Sequence, residues 1–155
     1  ADLTIMEEGT ELLTRQKKAL VEKDPKVALP MFTSCSPGWV KYAEYFYPQI
    51  LPHISTCKSP QQMFGAIAKT YYAQKIGKKA EEIVVVSVMP CTAKKFEAQR
   101  AEMNASGVRD VDYVLTTREL GRMIKQAGID FKSLPDDKMD SPIGVSSGAA
   151  DIFAN

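Results

Sequence analysis

A chain of 155 residues and 17.1 kDa has room for one domain with a real core, and not for two comfortable ones. With 45% hydrophobic residues, 25% charged residues and a formal net charge of +1, it reads as an ordinary globular protein with no electrostatic footprint for nucleic acid or a membrane surface. No apolar run approaches the roughly 20 residues that span a bilayer, the first residues carry no leader pattern, and three widely spaced cysteines make no disulfide framework; membrane insertion and a disulfide-stapled fold are therefore not expected.

Leu3, Met6, Leu12, Leu13 and Leu20 recur near helical spacing, with acids early and Arg15, Lys17 and Lys18 late, which predicts a helix over 3–21. A polar connector, 22–26, leads to the apolar run 27–32, suited to a buried strand that ends in Thr33-Ser34-Cys35. Pro37 suits the first turn of a second helix, with Trp39, Val40, Ala43 and Tyr47 as its apolar face and Pro48 as its stop. Tyr42, Tyr45, Phe46 and Tyr47 read as packing. Ser59 and Pro60 mark the start of a helix that runs through Met63, Ile67 and Tyr71 to Gly77. The β-branched run 83–89 is the clearest strand, of the kind buried on both faces of a parallel sheet, and it delivers Cys91. A helical stretch over 95–103, a short strand over 111–115 and a helix from Thr117 to near Gly128 complete the alternation. This order argues for an α/β architecture, a largely parallel sheet flanked by helices. The small-residue tail 141–155 has no closing element and reads as cut.

Cys35 and Cys91 each sit where an apolar run gives way to a Pro-punctuated turn and then a helix, the place where open α/β folds gather their chemistry. Their separation is far outside any metal knuckle, so residue type alone leaves a packing thiol and a metal or catalytic thiol both open. Glu8 and Glu11 read as ordinary first-helix acids that share a face at (i, i+3). By type, Lys94 suits a solvated helix lysine, Ser59 an N-cap and Met89 core filler; His53, Arg118 and Glu119 read as structural.

Phe32-Thr33-Ser34-Cys35-Ser36-Pro37-Gly38-Trp39 resembles the first signature loop of iron-only (FeFe) hydrogenases, and Met89-Pro90-Cys91-Thr92-Ala93-Lys94-Lys95-Phe96-Glu97 resembles the second. The likeness extends through 1–8, 56–61, 108–112, 115–120 and Ser147-Gly148-Ala149, and so covers essentially the whole chain. It implies the H-cluster, a four-iron cubane bridged to a two-iron centre and held by four cysteines, with Cys91 as one thiolate ligand. In that family the first loop carries two adjacent cysteines, a proton donor and then a cubane ligand, which fall here on Cys35 and Ser36. A serine alkoxide is a hard and far more basic ligand than a thiolate. Three explanations stay open: an engineered substitution, a natural one in a divergent homologue, or a register shifted by one so that Cys35 is the ligand.

The resemblance further implies a proton relay from Cys35 through Glu8 and Ser55 to Glu11, since a proton crosses a core only along titratable groups in hydrogen-bond reach. Lys94 would direct its ammonium at a cyanide ligand of the two-iron centre, and Pro90, Ser59, Gln61 and Met89 would line the same pocket. Cys57 matches no cluster ligand and is expected to be structural. The third loop, with the remaining cysteines, is expected beyond Asn155, and a stretch contacting the two-iron centre before Ala1.

The expected function is thus part of an iron-only hydrogenase that reversibly reduces protons to molecular hydrogen with a ferredoxin or similar electron carrier, in the cytoplasm or periplasm of an anaerobic organism. Residues 1–155 would form a single partial domain, about half of the two-layered H-cluster domain, completed by the rest of that domain or by a partner chain. The alternatives are a cofactor-free hydrogenase-like scaffold or sensor, and one chain of a split hydrogenase. An incomplete layer should expose an apolar face, with association or poor solubility as the result.

Overall fold

The computed structural model describes residues 2–144 and 148; the expectations for the rest of the tail and for Ala1 lie outside the described residues. The chain divides into two compact units, a first through Phe64 and a second from Gly65.

In the first unit α1 spans Asp2–Gln16 and continues as one wider π turn, Lys17–Val21, so the helix has the expected extent. Its orientation is not the expected one. Leu3, Met6, Leu13 and Leu20 are exposed, whereas the face turned inward carries Thr4, Glu8, Glu11 and Arg15, spaced four, three and four residues apart. The polar stripe of α1 is the covered one because it finds hydrogen-bond partners there, as described below. The expected strand over 27–32 is reduced to a single parallel bridge, Phe32 to Ile54. Phe32 N–H donates to His53 O and Ser55 N–H to Phe32 O, each at 2.7 Å. Pro30 carries no N–H and interrupts any longer ladder.

Helix α2, Pro37–Phe46, opens with Pro37 and buries Pro37 and Ala43. Pro48 ends it and begins a 3₁₀ turn, Pro48–His53. Tyr42 packs on Phe46 at 5.1 Å and on Tyr47 at 5.5 Å between centroids, the Lys41 ammonium sits over the Tyr45 ring, and all four expected packing residues stay exposed. His53 is fastened by its Nδ1–H to Pro30 O at 2.9 Å. Helix α3, Pro60–Ile67, runs on through a π segment, Ala68–Tyr72, into α4, Ala73–Lys75. Gly77, at φ +67°, turns the chain out of it, a conformation that costs glycine nothing.

The second unit is built on a parallel pair, β1 (Val86–Met89) and β2 (Tyr113–Thr116), with Val86 opposite Tyr113 and Met89 opposite Thr116. Helix α5, Ala93–Ala98, follows β1, and α6, Thr117–Gln126, follows β2. A small core of Ala68, Val85, Ala98 and Val111, with Ile83 and Val114 packed against it, lies on one side. The run 83–89 is neither a full-length strand nor buried on both faces: Val84, Val86 and Val88 are 65%, 50% and 42% exposed. Among the described residues the sheet has two strands. Upstream of β1, Val85 N–H donates to the Asp112 carboxylate at 2.7 Å, and Val85 O takes the Asp112 and Tyr113 amides. The other Asp112 oxygen pairs at 2.7 Å with Lys69, 4% exposed, whose ammonium also reaches Arg109 O.

α5 stops short of the expected 103 because Asp110, fully buried, draws the following turn inward by accepting Ala105 and Ser106 N–H, each at 2.9 Å. That turn also explains Gly65: a Cβ there would lie 2.5 Å from Asp110 O and 2.8 Å from Val111 Cγ2. Gly65→Ala is therefore expected to destabilise by about 1–3 kcal/mol. Gly121→Ala in α6, where a Cβ meets nothing within 4 Å, should stabilise by about 0.5–1 kcal/mol. Urea melts of the two variants in the full-length protein check the opposite signs. At α6 the start is a reciprocal capping box, Thr116 Oγ1 accepting Glu119 N–H and Glu119 accepting Thr116 N–H. Glu119 also pairs with Lys95 at 2.7 Å, and this ion pair, with the capping bonds, lowers its pKa to about 2. No helix among the described residues is long and apolar enough to cross a membrane.

Candidate functional site

The inward stripe of α1 meets the segment 53–57. Ser55, 6% exposed, donates its hydroxyl to Glu11 Oε2 at 2.5 Å, and Thr56 N–H donates to the same carboxylate at 3.0 and 3.1 Å. Arg15, one turn on, closes the other side: Nε donates to Glu11 Oε1 at 3.0 Å, while the two terminal nitrogens reach Pro52 O at 2.9 Å and Ile54 O at 3.0 Å. Burial alone would raise the Glu11 pKa, but the donors from Ser55, Thr56 and Arg15 outweigh it and lower the value from 4.5 to about 2.

Glu8 shares that face and behaves oppositely. Burial and the neighbouring Glu11 charge raise its pKa, against a hydrogen bond from the Ser34 amide. The structure thus brings Glu8, Glu11 and Ser55 together, with the more basic carboxylate beside the loop of Cys35. Sequence reasoning missed two members of the cluster. Arg15 was legible only as an (i, i+4) partner of Glu11. Cys57, expected to be structural, has its thiol among the acids; burial pushes its pKa up, the Glu11 and Glu8 charges add to this, and a hydrogen bond from Ser55 opposes it. Its N–H donates to Ser55 Oγ at 3.1 Å and its carbonyl accepts the Ser34 hydroxyl at 2.5 Å.

Because the Glu11 pKa is depressed on folding, its contribution to stability is complete above the unfolded value near 4.5 and is lost as pH falls towards 2. Between pH 5 and 2 the native protein is expected to lose stability more steeply than Glu11→Gln, as read from denaturation midpoints across the range.

Cys35 and Ser36 lie exposed at the N-terminus of α2. Ser36 is the N-cap in an extended conformation (φ −96°, ψ 112°), yet its side chain makes no capping hydrogen bond. Ser59 and Gln61, 1% and 5% exposed, flank Pro60 at the start of α3. In the second unit Met89 ends β1 half-buried, Pro90 and Cys91 are exposed in the β1–α5 turn, and Lys94 lies on α5. Lys94 is not the solvated lysine its type suggested: it is 9% exposed and pairs with Glu97, 4% exposed, at 3.4 Å. An ammonium held this way is oriented rather than mobile. Among the described residues no group of three or more His, Cys, Asp or Glu is arranged to hold a metal ion.

The family described as iron only hydrogenase large subunit, C-terminal domain, matches residues 1–155. The NADP-reducing hydrogenase subunit HndD of Solidesulfovibrio fructosivorans is 58% identical over 99% of this chain and 26% of its own length. The periplasmic [Fe] hydrogenase large subunit of Nitratidesulfovibrio vulgaris is 55% identical over 99% of this chain and 35% of its own length. More distant, at 39% identity over 94% of this chain and 26% of the relative, is the cytosolic Fe-S cluster assembly factor NAR1 of Sclerotinia sclerotiorum. Among solved structures, an [FeFe]-hydrogenase HydA(deltaEFG) studied for stepwise H-cluster assembly superposes with a TM-score of 0.84 and 48% identity, over 96% of this chain and 35% of that one. An apo HydA1 variant from Chlamydomonas reinhardtii does so with a TM-score of 0.83 and 48% identity, over 96% of this chain and 36% of that one. The chain thus spans about a quarter to a third of the length of these proteins, and over that span it belongs to the iron-only hydrogenase large subunits, in their C-terminal domain.

Proposed function

We propose that this chain is the proton-delivering part of an iron-only hydrogenase catalytic domain, one partial domain over residues 1–155, whose complete protein interconverts protons, electrons and molecular hydrogen with a ferredoxin-type electron carrier. The observation that carries the reading is the Ser55–Glu11 hydrogen bond on the same helix face as Glu8, with Glu8 in turn bonded to the residue before Cys35. A proton entering at Glu11 passes along the Ser55 hydroxyl towards Glu8 and then to the Cys35 thiol. The lowered pKa of Glu11 keeps it ionised at neutral pH and makes it a transient carrier only, and the raised pKa of Glu8 makes Glu8 the stronger base, which favours the proton on the inner side.

The donor set supports only a share in holding a cluster. A four-iron cubane takes four thiolates, and Cys91 with the Ser36 hydroxyl does not complete that set. Cys91 is one ligand in this reading, Ser36 stands at a second ligand position, and the remaining ligands come from the rest of the domain or a partner chain. Lys94, held by Glu97, would offer a positive group to the inorganic ligands of a bound cluster; Met89 and Pro90 in the second unit, and Ser59 and Gln61 in the first, are in this reading further residues that would contact it. The relatives named as hydrogenases are more similar than the one named as an assembly factor, and favour catalysis over a cofactor-free scaffold. A relative named as periplasmic makes the periplasm as well as the cytoplasm a fitting location.

Hydrogen evolution by the full-length protein, prepared anaerobically with its cluster and a reduced carrier, tests the reading. Ser55→Ala is expected to lower kcat by about 10²- to 10⁴-fold, the range for loss of a proton-transferring group. An unchanged kcat across pH would remove Ser55 from the path.

A further inference from the structure

We propose that Ser34 is a positioning residue of the proton relay: its hydroxyl fastens the loop of Cys35 to the segment of Ser55, so that its amide holds Glu8 at the start of that loop. What the relay serves rests on the hydrogenase reading; the placement of Glu8 by Ser34 does not.

Main-chain pairing between the two segments ends after Phe32 N–H to His53 O and Ser55 N–H to Phe32 O. Two residues further along, where a parallel ladder would bring its next main-chain bond, the Ser34 hydroxyl takes over and donates to Cys57 O at 2.5 Å. The side chain continues a ladder that the backbone has abandoned. Ser34 is 9% exposed, so this hydroxyl has little water to fall back on, and breaking the bond leaves the Cys57 carbonyl without its donor.

Both ends of this strap lead into the relay. On one side the Ser34 N–H donates to the Glu8 carboxylate, and Cys35 is the next residue. On the other, Cys57 N–H donates to Ser55 Oγ, whose hydroxyl is hydrogen-bonded to Glu11. One side chain therefore sets the registry between the group that delivers a proton to Cys35 and the hydroxyl that supplies it. Titratable groups that act on or feel Glu8 include Glu11 on its own helix and Cys57 on the facing segment, both by charge, whereas the Ser34 amide acts by donating a hydrogen bond.

The test compares Ser34→Thr, which keeps the hydroxyl, with Ser34→Val, which has the same shape without it, and with Ser34→Ala, all in the full-length protein. In cluster-free protein the carboxylic C=O stretch of Glu8, assigned by its disappearance in Glu8→Gln, is followed by infrared difference spectroscopy against pH. Val and Ala are expected to move its midpoint upward by about half a pH unit or more, because loss of the hydroxyl strap lets the loop carry its amide, a donor to the ionised form, away from the carboxylate, while Thr leaves it in place. In the cluster-loaded enzyme the same two variants should lose roughly 10- to 100-fold in kcat with retained carrier KM, and Thr should recover it. A Glu8 midpoint that is the same in Ser, Thr, Val and Ala proteins overturns the proposal whatever the activity. A shifted midpoint in a protein whose wild type evolves no hydrogen upholds the placement by Ser34 and refutes the hydrogenase reading instead.

Discussion

Replacing Ser36 with cysteine is expected to raise the iron retained by the full-length protein more than any other single change. The reason is donor chemistry. Iron in a cubane is served by soft thiolates, whereas a serine hydroxyl must lose a far less acidic proton and then offers a hard oxygen. Because a ligand itself is exchanged, the gain in iron affinity should exceed the roughly 10- to 100-fold typical of altering an outer-shell partner. The fold has little to lose. Ser36 is exposed at the N-cap of α2 without a capping bond, so the ~0.5–2 kcal/mol that a capping serine usually contributes is not at stake. The cluster-free variant should accordingly melt within about 0.5 kcal/mol of the parent. Iron and sulfide per chain, with electron paramagnetic resonance after anaerobic reconstitution, measure the outcome. Equal iron in both proteins would mean that Ser36 is not at a ligand position; Cys35→Ser would then be the variant that loses iron, as the shifted register requires.

The extents of α1, α2 and α6 were legible because each is bounded by local signals: the acidic start and basic end of α1, Pro37 in α2, and the Thr116–Glu119 pair and Gly128 around α6. What spacing could not supply is which face of an amphipathic helix is covered. In α1 hydrophobicity pointed to the leucines, yet the covered stripe is Thr4, Glu8, Glu11 and Arg15, because polar groups with fixed partners elsewhere in the chain compete successfully for the inside. The run 83–89 misled in a related way. Its composition suits a strand covered on both faces, and within the described residues one side of Val86 and Val88 stays open. As for the site, the resemblance alone brought Glu8, Ser55 and Glu11 forward. The Ser55–Glu11 contact joins positions 44 apart in sequence, for which local periodicity carries no signal. Ser34 was equally silent, since a serine in a loop beside a cysteine reads as turn chemistry until its carbonyl partner is seen.

Glu11→Gln is the substitution with the largest expected effect on catalysis in the first unit. Both carboxylate oxygens are engaged by donors: Ser55 and Thr56 from one side, Arg15 and Thr56 from the other. An amide keeps one acceptor and turns the second position into a donor, which then confronts either the Ser55 hydroxyl or the Arg15 guanidinium, and it carries no exchangeable acid proton. Two losses follow. Proton delivery should fall by about 10²- to 10⁴-fold in kcat, as for removal of a general acid or base. Folding stability should fall by about 1–3 kcal/mol for the buried donor left unpaired. The two can be separated with Glu11→Asp, which retains charge and proton but shortens the reach to Ser55. It should recover part of the rate, and its rate should rise and fall with pH where Gln shows no such dependence. Arg15 is held independently by the Pro52 and Ile54 carbonyls, so the clamp around the site stays in place in each variant. Hydrogen evolution measured against pH, beside urea melts of the same preparations, decides the matter. A Gln variant that loses stability while keeping its rate would make Glu11 an anchor for segment 53–57, with the proton entering elsewhere. A loss of rate that Asp partly restores would place the entrance of the path at Glu11.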